Sequence, residues 1–205
     1  MRTIARNVRV EQVIEKSRFI CTLRKVSSEE EAQAFIKEIK KEFWDATHNC
    51  SAYLVDDRSQ RSSDDGEPSG TAGVPMLGVL QSRELTGTAA VVTRYFGGIK
   101  LGAGGLVRAY SGSVAQAVEE AGLAEIIPVG DYTFHCGMAE SGKIMNLLFQ
   151  QDIFQIADTL YGTEVTFLLR MPERRKEEAE AWLTDTLQRE TELEKVGGSL
   201  EECPI

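Results

Sequence analysis

The sequence predicts an α+β protein of two domains, and three observations carry that reading. Short runs alternate apolar and polar residues, the period of half-buried strands, while others repeat at i, i+3 and i+4, the period of helices. Charge is divided unevenly: residues 1–124 hold 16 Lys+Arg and 16 Asp+Glu, while residues 125–205 hold 7 and 16 and carry the whole net charge of −9. Past Ala124 the patterns settle into strand, helix, two strands, helix, strand, the split βαβ order of a ferredoxin-like domain. The expected division is therefore 1–124 and 125–205, each long enough to bury a core of its own.

The elements follow in order. Val8, Val10, Val13 and Ile14 mark one strand and Phe19, Cys21 and Leu23 a second, with a turn at Glu15-Lys16. Ser28 with Glu31 three residues on has capping-box spacing, and Ala32, Phe35, Ile36, Ile39 and Phe43 extend a helix from it. In the strand "ATHNCSAYLV", His48, Cys50, Ala52 and Leu54 face one side, and Asn49, Ser51, Tyr53 and Val55 the other. Asp56–Gly70 reads as a polar loop of 15 residues. A helix follows to about Arg83, burying Val74, Met76, Leu77 and Leu80. "GTAAVVTRYF" is the next strand, and Leu106–Ala121 is helical through Leu106, Val107, Tyr110, Val114, Ala117 and Val118. In the second domain the expected elements are strand Asp131–Met138, helix Glu140–Gln151, strands Phe154–Tyr161 and Glu164–Met171 about Gly162-Thr163, helix Glu173–Arg189 and strand Glu192–Leu200.

Composition narrows the function classes. With 42% hydrophobic and 27% charged residues the chain is an ordinary globular protein. No apolar run approaches the ~20 residues that cross a bilayer. "MRTIARNVRVEQVIEKSRF" has no apolar core of a secretory signal, so a cytoplasmic location is expected. Cys21, Cys50, Cys136 and Cys203 form no C-x-x-C pair and only two histidines are present, so reduced thiols and no metal site are expected. The acidic second domain is a poor surface for polyanions, which leaves the first to meet any nucleic acid. "ERRKEEAEAW" reads as a solvated helix face with i,i+4 charge pairs.

"RYFGGIKLGAGGLVRAYSG", Arg94–Gly112, gathers six glycines and three cations into 19 residues. It is neither phosphate motif. A Walker loop needs Gly-Lys-Ser/Thr after the second glycine, where Ala103-Gly104 follows Gly102, and G-x-G-x-x-G fails because Val107 stands at the third glycine. A looser mechanism remains: backbone N–H groups at a helix N-terminus attract anions. Gly102, Gly104 and Gly105 lead into such a helix, with Arg94, Lys100 and Arg108 nearby. Equally, glycines allow positive φ and close packing while the cations are solvated. Asp64, Asp65 and Glu67 in the polar loop have the chemistry of a magnesium site or a solvated turn, without calcium-loop spacing. His48 and Cys50 sit about 7 Å apart on one strand face, too far for a Cys–His nucleophile pair, though His48 alone is a candidate cleft residue. No catalytic residue is identified.

"DDGEPSGTAGVPML", followed by "VVTRYFGGIKLGAGGLVRAYSGSV", closely resembles the signature of the IMPACT/YigZ family, and "ATHNCSAY" is similar to the same family's earlier strand. The signature positions are His48, Asp64, Asp65, Gly66, Glu67, Pro68, Gly70, Thr71, Arg94, Tyr95, Phe96, Gly97, Gly98, Lys100, Leu101, Gly102, Gly104, Gly105 and Arg108. The resemblance implies a ribosomal-protein/RNase PH-like β-α-β-α fold for the first domain, similar to domain IV of elongation factor G. It implies a ferredoxin-like second domain similar to domain V. It also implies a role linked to translational regulation: eukaryotic members act through a stress-kinase activator and associate with ribosomes, but carry a different accessory domain. The leading expectation is a binding protein, not an enzyme, whose first domain docks on structured RNA or the ribosome. Arg94, Lys100 and Arg108 would meet phosphates, while Tyr95, Phe96 or Tyr110 would stack on bases. The alternative is an enzyme or receptor for a small phosphorylated or nucleotide-like ligand. Gly102–Gly105 would then hold the anion, with Asp64, Asp65 or Glu67 holding magnesium or acting as base. A regulator that binds a protein partner is the third class. No cofactor and no membrane contact are expected; oligomeric state is left open.

Overall fold

Residues 8–25 fold into a hairpin whose register the alternation dictates. β2 (Val8–Ile14) pairs antiparallel with β3 (Ser17–Lys25), Val10 opposite Cys21. Glu15 and Lys16 at the turn have φ of 46° and 64°, the left-handed values that match a two-residue hairpin to the strand twist. The computed structural model describes residues 1–205, the side chain of Pro204 excepted.

α1 (Glu29–Glu42) starts at Ser28, whose Oγ accepts the Glu31 N–H at 3.2 Å. The Glu31 carboxylate accepts from the N–H and hydroxyl of Ser27, both at 2.7 Å, so the reciprocal bond closes one residue before the cap. β4 (His48–Leu54) has the two faces expected of it. Cys50, Ala52 and Leu54 enter one core, and Tyr53 enters another with Phe35 and Ile39 of α1. β5 (Gln60–Ser63) pairs with β4 inside what the sequence reads as loop. Edge pairing is a backbone property, and the wholly polar QRSS gives no apolar signal for it.

α2 (Gly73–Ser82) buries Met76 and Leu80 but leaves Val74 62% exposed, against the inward position expected. β6 (Thr88–Tyr95) lies centrally in the antiparallel order β2-β3-β6-β4-β5. α3 (Gly102–Ala121) begins a turn before the expected Leu106, because glycines carry no side chain to show periodicity. It buries Leu106, Tyr110, Val114, Ala117 and Val118, with Val107 exposed. α1 packs on one face of this sheet; α2 and α3 supply the core on the other.

The chain divides into two compact units, Met1–Ile126 with Glu202–Ile205, and Ile127–Glu201. β1 (Arg2–Ile4) pairs within the first unit with the start of β7 (Leu123–Cys136), a strand that begins eight residues before the expected Asp131 and includes Ala124. Val129, Tyr132, Phe134 and Cys136 supply its later inward positions. The second unit adds α4 (Met138–Leu148), β8 (Gln155–Tyr161), β9 (Val165–Pro172), α5 (Lys176–Leu187) and most of β10 (Glu194–Pro204), whose last residues belong to the first. β7 pairs with β9 and β10, and β9 with β8, the ferredoxin-like order. Phe134, Phe167, Leu148, Leu169 and Leu183 fill its core. The Lys176–Glu180 pair lies along α5 at the predicted i,i+4 spacing, and Arg175, just before the helix, pairs with Glu178 at i,i+3. Both units are α+β, as the sequence predicts, and among the described residues no helix is long and apolar enough to cross a membrane.

Candidate functional site

Three residues stand in a row across the end of the first sheet. Arg94 near the end of β6 pairs with Phe19 of β3 on one side and His48 of β4 on the other. Residues directly opposite one another share a sheet face, here the face with Cys50 and the core beneath α3. Arg94 is consequently only 5% exposed. The register makes it a buried cation lining the site, not the surface cation the sequence suggests.

Its countercharge comes from the acidic loop. Asp65 and Gly66 have φ of 46° and 87°, and the left-handed turn they make carries Glu67 inward, where it is 8% exposed. Glu67 Oε1 accepts from Arg94 Nη1 at 2.6 Å and from the Tyr110 hydroxyl at 2.7 Å. Arg94 Nη2 reaches Ser17 Oγ at 3.5 Å, but Nε is the one buried side-chain nitrogen or oxygen without a partner among the described residues. An unmet buried donor costs about 1–3 kcal/mol, more when charged. The guanidinium carbon lies 5.4 Å from the ring centre of Phe19 and 5.5 Å from that of Phe96, within the range of cation–π attraction.

His48 completes this group. Its Nδ1 is 2.9 Å from the Asp65 carbonyl oxygen. A carbonyl only accepts, so Nδ1 carries a proton and Nε2 faces Glu67 Oε2 at 3.8 Å. Tyr110 is fully buried; burial, with Cys50 and Glu67 beside it, holds its hydroxyl far above the ordinary phenol range. It cannot stack on a base. The buried Cys50 thiol donates to the Asp64 carbonyl at 3.0 Å and is pushed up to about 12, chiefly by burial, so it offers no thiolate nucleophile.

Asp64 and Asp65 have internal duties. Asp64 accepts the N–H groups of Gly70, Ala72 and Gly73 at 2.8, 3.1 and 2.8 Å, fixing the start of α2. Burial alone would raise its pKa, but these three bonds outweigh it and hold the carboxyl below its ordinary value. Asp65 accepts from Lys40 Nζ at 2.5 Å and the Asn49 N–H at 2.7 Å. Among the described residues no three His, Cys, Asp or Glu side chains form a group that could hold a metal ion. Under the alternative reading Asp64 or Asp65 would ligate magnesium or act as a base; here their oxygens already accept from the protein's own N–H and ammonium groups.

The Gly-rich turn supplies the rest of the lining. A Cβ on Gly97 would fall 2.0 Å from the backbone of Lys16, so the β2–β3 turn packs directly on it. Gly98 and Gly102 have φ of 89° and 71°, values only glycine adopts freely. α3 then starts at Leu101 with no side-chain cap and no acid in its first turn, in contrast to the three glutamates opening α1. The partial positive charge of its N-terminus is left uncompensated. Lys100 and Arg108 are exposed and join no ion pair among the described residues. Arg108 Nη1 lies 3.6 Å from where a Cβ on Gly104 would stand, alongside that first turn. Phe96 is 46% exposed. Tyr95 is half-buried, its hydroxyl donating to Asp45 at 2.9 Å.

One cleft of about 460 Å³ is lined by residues of both groups, His48, Glu67 and Arg94 together with Phe96, Lys100 and Gly102. Gly104 and Gly105 belong to the same helical turn, Arg108 lies beside it, and Asp64 and Asp65 serve from behind as scaffold. Sequence reasoning misses Ser17, which accepts the Gly97 N–H at 3.1 Å, and Thr47, which lines the cleft; Pro68 and Leu101 line it too, signature positions to which the sequence assigns no site role. Nothing in the local pattern around Ser17 signals a partner eighty residues away.

Two family models match the sequence: the Impact N-terminal domain over residues 15–118, and one described as a domain of unknown function (DUF1949) over residues 134–188. The IMPACT family member YvyE of Bacillus subtilis is 50% identical over 183 residues, covering 85% of this chain and 81% of YvyE. The IMPACT family member YigZ of Escherichia coli is 40% identical over 182 residues, covering 87% and 89%. A solved structure described as that of a hypothetical protein aligns with a TM-score of 0.59 at 37% identity, covering 95% of this chain and 96% of that one. With its signature, its two matched domains and these relatives, the chain belongs to the bacterial two-domain IMPACT/YigZ family.

Proposed function

We propose that this protein is a binding protein of translational regulation that docks on structured RNA or the ribosome through residues 1–124. One observation carries the reading. Exposed Phe96, Lys100 and Arg108 surround the uncapped N-terminus of α3, while the acids nearest in the signature are engaged by the protein itself. That arrangement leaves two solvated cations and a π-face where a nucleic acid offers phosphates and bases. The net neutrality of the first domain does not oppose it, because many of its cations are held in ion pairs elsewhere, among them Arg9–Glu42, Arg18–Glu11 and Arg24–Glu38. Membership of the IMPACT family supports the link to translation.

The test is binding of the full chain to ribosomes and to structured RNA across a salt series. Docking through this surface predicts affinity that falls with salt and weakens in Lys100→Ala and Arg108→Ala, each removing about one phosphate contact from the slope. Binding that is absent, or insensitive to salt and to both substitutions, rejects the reading.

A further inference from the structure

We infer that the cleft is a nucleotide-phosphate site: it takes one phosphate monoester at the N-terminus of α3 and a nucleoside against the apolar part of its lining. The inference rests on the docking reading and names the group that docks. Two independent features point to an anion. The first turn of α3, Gly102–Gly105, presents backbone N–H groups with no side-chain cap and no acid beside them, on a helix of 20 residues. Separately, Arg94 lines the same cleft, is 5% exposed and holds the one unpartnered buried side-chain nitrogen among the described residues, Nε.

The charges of the lining agree. Glu67 faces the cleft, but its Oε1 is taken by Arg94 at 2.6 Å and by Tyr110 at 2.7 Å, so its charge is offset from within. Lys100 then adds a free positive charge at the rim, and Arg108 a second one beside the helix turn. Three oxygens of a monoester suit several converging N–H donors better than a diester with two. Pro68, Phe96, Leu101 and Leu106 give the remaining wall an apolar surface, with the half-exposed Phe96 ring available for stacking. A free nucleoside monophosphate and the 5′-phosphorylated end of an RNA strand present the same chemistry.

The test follows the backbone amides of Gly102, Gly104 and Gly105 by NMR in the full chain. Its probes are adenosine 5′-monophosphate, adenosine, and one oligoribonucleotide with either a 5′-phosphate or a 5′-hydroxyl. The site predicts that these amides shift with the monophosphate and not with adenosine. It also predicts that the double variant Lys100→Ala, Arg108→Ala weakens the monophosphate by about tenfold or more at unchanged melting temperature. Tighter binding of the 5′-phosphorylated RNA assigns the site to an RNA end. Equal binding of the two RNAs, with the monophosphate shifts retained, assigns it to a free nucleotide. Still amides with every phosphorylated probe overturn the inference, and ribosome binding that persists in that case leaves the docking reading standing. Amide shifts with the monophosphate in a chain that binds neither ribosomes nor RNA reject the docking reading and keep the site.

Discussion

The cations around the cleft are put to opposite uses. Arg94, Glu67 and Tyr110 are buried and bonded to one another. By contrast, Lys100 and Arg108 stand in solvent beside an uncapped helix start. A cation in the family signature is therefore no guide to its role until its burial is known. The buried residues hold the geometry, and the exposed cations stand open to a ligand.

This contrast is open to direct attack, and the largest effect belongs to the buried residues. Arg94→Ala or Glu67→Ala leaves a buried partner charge uncompensated and is expected to destabilise the first unit by about 3–5 kcal/mol in denaturant titration. An apolar double replacement, Arg94→Met with Glu67→Leu, should lose less than either single change, since no orphaned charge remains. A larger loss in the double variant would contradict the description of the pair.

Asp64 comes next. Asp64→Asn weakens three backbone bonds at the start of α2 and should cost about 2 kcal/mol near neutral pH. Its folded pKa lies below the unfolded one, so the ionised carboxylate contributes stability above the unfolded value that disappears as pH falls through the folded value. The gap between wild type and variant should thus be constant at neutral pH and close below about pH 4. A gap that widens on acidification would reverse the sign and refute the assignment. Tyr110→Phe removes one donor from Glu67 and should cost about 1–2 kcal/mol in the same assay, with ribosome binding retained. Smallest of all, Lys100→Ala and Arg108→Ala should change stability by no more than about 0.5 kcal/mol.

Much of the fold was legible in the sequence because burial imposes periodicity. The two faces of β4 and the inward stripe of α3 follow directly from Cys50, Ala52, Tyr53, Tyr110 and Val114. Where side chains give no apolar signal the reading slipped: β5 is wholly polar, and the first turn of α3 is mostly glycine. The site was legible as a set of residues but not as a set of roles. The burial of Arg94 was not legible because it depends on register with Phe19 and His48, strands far apart in sequence. The scaffold duties of Asp64 and Asp65 were not legible because the backbone N–H groups and Lys40 that reach them are invisible in the local pattern. The structure places Lys100 and Arg108 in solvent.

The most direct measurement pairs two readings on one variant, Lys100→Ala: its melting temperature, and its affinity for ribosomes across a salt series. The account predicts an unchanged melting temperature with weaker binding and a log–log salt slope shallower by about 0.7–0.9, the value of one lost phosphate contact. A lowered melting temperature, or unchanged binding and slope, would place Lys100 outside the docking surface and contradict the division between buried and exposed cations.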